Sequence, residues 1–222
     1  MNTLDYFINN KLDAALLSSK ECAKYVQSFV EKYPPETILD LSLDDYMISK
    51  AGFGNPNSFC RTLRYEMDII GHMGNVWFDV FGVYLNNGVE IKLSKTFANQ
   101  FGDDIEGAFI HIKQQIVGLI NAGKTENLKA IEQCELNNAF KYKLLTVYCF
   151  DQYIPVSTRN TLDEYCSRVG IRFDSREEPI YRNVALRDFM REHPKMKNWN
   201  NSVMMGFCDW LWRSDKNISS DI

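Results

Sequence analysis

The chain has 222 residues, with 45% hydrophobic, 13% aromatic and 24% charged side chains, the profile of a packed globule rather than a disordered chain. Its 25 basic and 29 acidic groups leave a formal net charge of −4, which excludes an all-over basic coat but not a basic face. No apolar run reaches the roughly 18–20 residues of a membrane span, and MNTLDYFINNKLD lacks the layout of a signal peptide. The six cysteines form no C-x-x-C and no Cys/His cluster, so they read as buried thiols of a cytoplasmic protein.

Residues 2–32 read as one helix. Leu4, Phe7, Ile8, Leu12, Ala15 and Leu16 recur at helical spacing, and Cys22, Val26, Phe29 and Val30 continue the stripe up to Pro34 and Pro35. A short helix is predicted over 41–48, with Ser42 as N-cap and Asp44 and Asp45 in its first turn. After the loop AGFGNPNSF, Asn55 and Pro56 read as N-cap and first position of a helix to about Asp68, stopped by the glycines of IIGHMG. The strand signal lies at 75–95: NVWFDVFGVYL, a turn at Asn86-Asn87-Gly88, then VEIKL alternating with period two. A lone hairpin does not stand by itself, so it packs on helices or takes a further strand from residues 147–155.

Beyond the hairpin, Ile105, Phe109, Ile112, Ile116, Leu119 and Ile120 form a helical stripe that ends at Gly123. Helices are predicted over 126–133, 137–149, 161–169 (closed by Gly170), 181–192 and 199–213. The expected fold is α+β, predominantly helical, with a small antiparallel β-hairpin or sheet packed on the helices. It forms one domain over 1–213, with helical parts at 1–70 and 103–213 around the hairpin, and a polar tail or linker start at 214–222.

Gly118-Leu-Ile-Asn-Ala-Gly123-Lys124-Thr125 matches G-x-x-x-x-G-K-T in full. A phosphate-binding loop needs a buried strand before it and a helix starting at the lysine. Here the first glycine falls inside the helical stripe and the second at its expected end, so nucleotide binding is rejected. Asp79 with Glu90-Ile91-Lys92 places an acid and an E-x-K on two adjacent predicted strands, the layout of a Mg²⁺-dependent nuclease. That is the alternative catalytic reading, although E-x-K is also what a solvated strand face looks like. His72, His111 and His193 have no second histidine at ligand spacing, so no metal or cofactor is expected.

The aromatic residues of the first predicted strand alternate, with Trp77 and Phe81 on one face and Phe78 and Tyr84 on the other. One face lines the core; Trp77, Phe81 and Tyr84 are candidates to stack on a base. Arg61 and Arg64 on one helix, with Lys92 and Lys95 on the hairpin, can flank a groove if those elements meet, and Lys141 and Lys143 are further phosphate candidates. Seven arginines crowd 159–191 (Arg159, Arg168, Arg172, Arg176, Arg182, Arg187, Arg191), but residues 159–192 hold as many acids, so ion-paired helix faces explain it equally well.

Four phrases then stand out in order: LSLDDYMISKAGFGNPNSFCRTLRYEMDIIGHMG; FDVFGVYL; NLKAIEQCELNNAFKYKLLTVYCFDQYIPVSTRNTLDEYCSRVGI; and MKNWNNSVMMGFCDWLW. Together they resemble the N-terminal domain that precedes the AAA+ GTPase motor in McrB-like proteins of modification-dependent restriction systems. Val80-Phe81-Gly82-Val83-Tyr84 stands for the family's K-F-G-I-Y strand, Phe140 to Tyr148 for F-K-x-K-I-L-x-x-Y, and Trp199-Asn200-Asn201 with Met204, Met205 and Phe207 for its closing element. The resemblance spans about residues 40–212. It implies a non-catalytic specificity domain of a restriction or phage-defence system that binds double-stranded DNA, often around a modified cytosine. A GTPase motor and a separate nuclease subunit would be its partners. Val80 replaces the family's lysine and Arg64 an acidic or neutral residue, so base preference does not transfer. A third class, a protein-interaction module of a defence complex, would bind a partner subunit and no nucleic acid.

Overall fold

The computed structural model describes residues 3–50, 53–73, 76–156, 158–174 and 177–219. Ala51, Gly52, Gly74, Asn75, Arg176 and residues 220–222, which figured in the sequence reading, lie outside them. The fold is α+β and predominantly helical, with a two-stranded antiparallel hairpin packed on helices.

The first predicted helix is two. Helix α1 (Thr3–Asn10) and α2 (Leu12–Lys32) meet at Lys11, whose φ of −130° leaves the helical region. Helix α1 buries Leu4 and Phe7 in one core, where Leu12 and Ala15 at the start of α2 also pack, and α2 goes on to bury Cys22, Val26 and Phe29 in a second. A 3₁₀ turn, Pro35–Asp40, follows, then α3 (Leu43–Tyr46), where Ser42 Oγ accepts from the amide of Asp45 at 3.1 Å as the expected N-cap. Helix α4 (Phe59–Tyr65) begins three residues later than expected. Asn55 Oδ1 accepts from the amide of Asn57 at 2.9 Å, so Asn55-Pro56-Asn57 makes a side-chain-closed turn and Ser58 becomes the N-cap.

A 3₁₀ turn at Met67–Ile70 ends at Gly71, and another occupies Phe78–Phe81. The long aromatic strand is therefore half helical. Gly82 stands at φ +85°, and a Cβ there would lie 2.7 Å from Ile112 Cδ1, so only glycine turns the chain from the 3₁₀ turn into the strand. Strands β1 (Val83–Asn86) and β2 (Glu90–Leu93) then pair with Val83 opposite Leu93 and Asn86 opposite Glu90. Of the two alternatives for the hairpin the first holds: it packs on helices, and residues 147–155 supply no strand to it. The outer edge of β1 is met instead by Ile48, whose carbonyl accepts from the amide of Leu85 at 3.1 Å.

Helix α5 (Lys95–Phe101) leads into α6 (Ile105–Lys124), with α7 (Leu128–Glu132) and α8 (Asn138–Tyr148) after it. Helices α9 (Arg159–Arg168), α10 (Pro179–Glu192) and α11 (Asn201–Ser219) complete the chain; α11 continues through 214–219, which the sequence reading gave to a tail. The larger core gathers α2, α4, α6, α8 and the hairpin around Tyr46, Phe59, Phe81 and Phe140. The smaller joins α1, α9, α10 and α11 around Phe7, Trp199, Met204 and Phe207. Within the smaller core Asn183 on α10 bonds both the amide and the carbonyl of Ile154, at 2.9 and 2.8 Å. Ties across the seam include Arg187, which grips Glu126 at 2.7 and 3.1 Å, and Ser19 on α2, whose hydroxyl donates to Asn200 Oδ1 at 2.9 Å.

Both glycines of the phosphate-loop pattern lie within the unbroken α6, so the intervening amides are committed to the helix. Gly123 is not its terminus. A Cβ there would lie 2.6 Å from Leu145 Cδ2 and 2.7 Å from Cys149 Sγ, so it is where α8 crosses α6 closely. Nothing lies within 4 Å of a Cβ at Gly118. Gly118→Ala should therefore stabilise the protein by about 0.5–1 kcal/mol, and Gly123→Ala destabilise it by about 1–3 kcal/mol, in urea unfolding. Equal effects at the two sites would contradict this packing.

All six cysteines are buried free thiols. Burial raises every one of them from 9.0, Cys166 to about 11 and Cys149 to about 12, and likewise raises the phenols of Tyr46, Tyr142, Tyr148, Tyr153 and Tyr165. Above pH 9 the unfolded chain loses thiol protons that the folded one keeps, so stability falls as pH rises. Lys143 has the opposite sign: burial lowers it from 10.5 to about 8, which adds stability between those values. One lysine against six thiols leaves a net loss. The melting midpoint under reducing conditions should drop steadily from pH 9 to 10.5; a flat or rising profile would contradict it.

Candidate nucleic-acid interface

Helix α4 reads Phe-Cys-Arg-Thr-Leu-Arg-Tyr and buries Phe59, Cys60, Thr62 and Leu63. Helical spacing leaves Arg61, Arg64 and Tyr65 on the outer side, one turn apart. Both guanidinium groups lie over the Tyr65 ring, Arg61 at 5.1 Å and Arg64 at 5.5 Å from its centroid. Arg64 Nη1 also donates to the carbonyl of Val76 at 2.7 Å, and its Cζ lies 5.6 Å from the Phe78 ring. Between Val76 and Phe78 stands Trp77, 82% exposed, while Phe78 packs against the larger core. The outcome is a compact patch of two arginines, a half-exposed tyrosine and an exposed indole.

On the other side of α4, Arg61 Nη1 reaches the carbonyl of Ser49 at 3.4 Å. The neighbouring Ile48 borders β1, so β1 separates the arginines from β2 and its Lys92. The four cations expected to flank one groove thus form two groups, the arginines on α4 and the lysines on β2 and at the start of α5. Lys92 is partly exposed and pairs with Glu90 at 3.0 Å, and Lys95 is exposed. Tyr84, opposite Lys92, is partly buried and leans on the larger core.

Three expected contacts are removed from any ligand. Phe81 is fully buried, its ring 5.0 Å from that of Phe140. Lys141, only 3% exposed, has its ammonium 3.5 Å from the carbonyl of Glu132. Lys143 is completely buried on α8, and its ammonium donates to the carbonyls of Met67 and Gly71 at 2.5 Å each. It closes the end of the 3₁₀ turn that follows α4. A lysine two residues from another on a helix reads as surface, but every residue from Phe140 to Tyr148 is buried.

The alternative nuclease triad does not assemble. Asp79 sits on a 3₁₀ turn four residues before Val83, at the open end of the hairpin, whereas Glu90 faces Asn86 at its turn. Among the described residues no group of three or more His, Cys, Asp or Glu side chains can hold a metal ion. His72 contacts Asp68 at 2.5 Å, and His111 contacts Glu135 at 2.9 Å. Two arginines of the arginine-rich stretch, Arg182 and Arg187, are buried internal ties. Arg182 Nη1 and Nη2 donate to the carbonyls of Glu177 and Asp174 at 2.8 and 2.6 Å, and its Nε lies 2.9 Å from Asp163.

Tyr65 and Phe78 were not singled out from the sequence as partners of the arginines. The R-x-x-R-Y spacing on α4 carries a signal for the first; nothing local signals the second, which needs the return of the chain at Val76. Behind the same 3₁₀ turn, a cleft of about 480 Å³ lies between Asp68, His72, Thr158, Tyr165, Asp209 and Trp212.

The fold and this patch define a mostly helical α+β domain with an arginine–tyrosine–tryptophan surface. No protein-family model, curated protein or solved structure matches the chain. No helix among the described residues is long and apolar enough to cross a membrane.

Replacing Lys143 tests its buried role. Lys143→Met removes the ammonium's bonds to the carbonyls of Met67 and Gly71 and should cost about 2–4 kcal/mol in urea unfolding, against less than about 0.5 for Lys95→Met. Similar stabilities for the two variants would contradict the assignment.

Proposed function

We propose that this chain is a DNA-recognition module of a restriction or phage-defence system, binding double-stranded DNA around a modified cytosine without cutting it. The observation that carries the reading is Trp77, 82% exposed beside Arg61, Arg64 and Tyr65. An indole and a phenol ring beside cations combine base stacking with phosphate attraction. The resemblance to McrB-like N-terminal domains supports the same class, with a GTPase motor and a separate nuclease subunit as partners.

In this reading Arg61, Lys92 and Lys95 contact phosphates. The affinity is then salt-dependent, with log K falling against log salt by about 0.9 for each phosphate engaged. Trp77, with Tyr65 beside it, takes the base, in place of the buried Phe81. The cleft behind Asp68 and His72 has room for a base turned out of the duplex.

Gel-shift titration with methylated and unmethylated duplexes at low salt tests the proposal. Binding is expected, tighter to one methylated form, and Trp77→Ala should weaken it roughly five- to hundredfold, the loss of one stacked base. No shift with any duplex at low salt would overturn it and favour a protein partner for the patch.

A further inference from the structure

We propose that Arg64 is a positioning residue for Trp77 rather than a phosphate contact, an inference that rests on reading the Trp77 patch as a DNA contact. Three interactions fix its guanidinium. One N–H donates to the Val76 carbonyl at 2.7 Å, and the Tyr65 and Phe78 rings lie 5.5 and 5.6 Å away. A planar guanidinium stacks on rings and donates in its own plane, which a lysine ammonium cannot do.

Two of those partners are the residues on either side of Trp77. Arg64 therefore holds the chain just before and just after the indole. Trp77 in turn starts the 3₁₀ turn, its carbonyl accepting from the amide of Val80 at 3.3 Å, and Asp79 accepts from Gly82 at 3.0 Å. With 82% of its surface exposed, the Trp77 side chain has little packing to hold it. Its backbone sets where the ring stands, and a ring already in place loses less freedom on binding. Arg61 differs in how firmly it is held: it has one ring and one long 3.4 Å contact, so its guanidinium is freer to turn towards a phosphate.

Arg64→Lys keeps the charge and removes the planar group, so it separates the two roles. In the free protein, hydrogen exchange at the Val80 and Gly82 amides should speed up about tenfold, with the melting midpoint as in wild type. In duplex titrations at several salt concentrations, Kd should rise roughly five- to hundredfold while the slope of log K against log salt stays the same. Phe78→Leu, which removes one ring and no charge, should act in the same direction in both measurements, and stands in if Arg64→Lys unfolds. The inference is overturned if Arg64→Lys binds as wild type while Arg64→Ala lowers the slope by about one, the mark of a lost phosphate contact. Unchanged exchange at both amides in the two variants overturns it as well. Failure of the wild-type chain to bind any duplex would sink the DNA reading, while the exchange measurement still decides whether Arg64 holds Trp77.

Discussion

The ammonium of Lys143 is fully buried and donates to the carbonyls of Met67 and Gly71, the last turn of chain before the Val76–Phe78 segment. Taking a charge out of water is costly, and the lowered pKa, about 8, measures that cost. Two short carbonyl bonds offset it and fix the 3₁₀ turn at Met67–Ile70 against α8. Cys22 on α2 adds a third tie, its thiol 3.5 Å from the carbonyl of Ile69. Gly71 passes so close to Pro155 that a Cβ would lie 2.6 Å from its carbonyl oxygen. The chain from the end of α4 to Gly71 is therefore set from inside the protein, by α2, α8 and the strip before α9.

The same device recurs elsewhere. Lys113 donates to the carbonyls of Leu39 and Leu41 at 2.6 and 3.0 Å, just past the Pro35–Asp40 turn. Arg182 gathers the carbonyls of Asp174 and Glu177. Short turns leave carbonyls that no helix satisfies, and this chain meets several of them with long cationic side chains from neighbouring helices. Five of the described positive charges, Lys113, Lys141, Lys143, Arg182 and Arg187, are buried, while most of the others are exposed or partly exposed along the chain. A near-balanced composition is compatible with a cationic patch because side chains of one sign can gather locally, and the count of charges alone does not locate it.

What the sequence disclosed followed local chemistry. Ser42 caps α3, Gly170 closes α9, and the Asn-Asn-Gly turn joins two antiparallel strands, because each needs only its own neighbours. The misplaced features depended on distant contacts. Phe78 to Phe81 has the composition of a strand, yet it forms a 3₁₀ turn that ends at Gly82, whose φ of +85° redirects the chain into β1. Lys141 and Lys143 resemble surface lysines until all of α8 is enclosed. For the patch, the aromatic run of the predicted strand, next to a glycine-rich turn, pointed to Trp77, but not to Tyr65 and Phe78 as the rings that hold Arg64. Burial of Phe81 against Phe140, from a helix 59 residues further along the chain, lies beyond any local pattern.

The central claim, that an exposed indole held beside arginines takes a nucleic-acid base, is tested most directly by tryptophan emission. Duplex DNA is titrated into the wild-type chain and into Trp77→Phe at low salt. The account predicts saturable quenching in the wild type, most of it lost in Trp77→Phe even where that variant still binds at a higher DNA concentration, because Trp77 is the exposed one of the four indoles, Trp199 being buried and Trp210 and Trp212 half-buried. Binding with equal quenching in both chains would place the base elsewhere and contradict it.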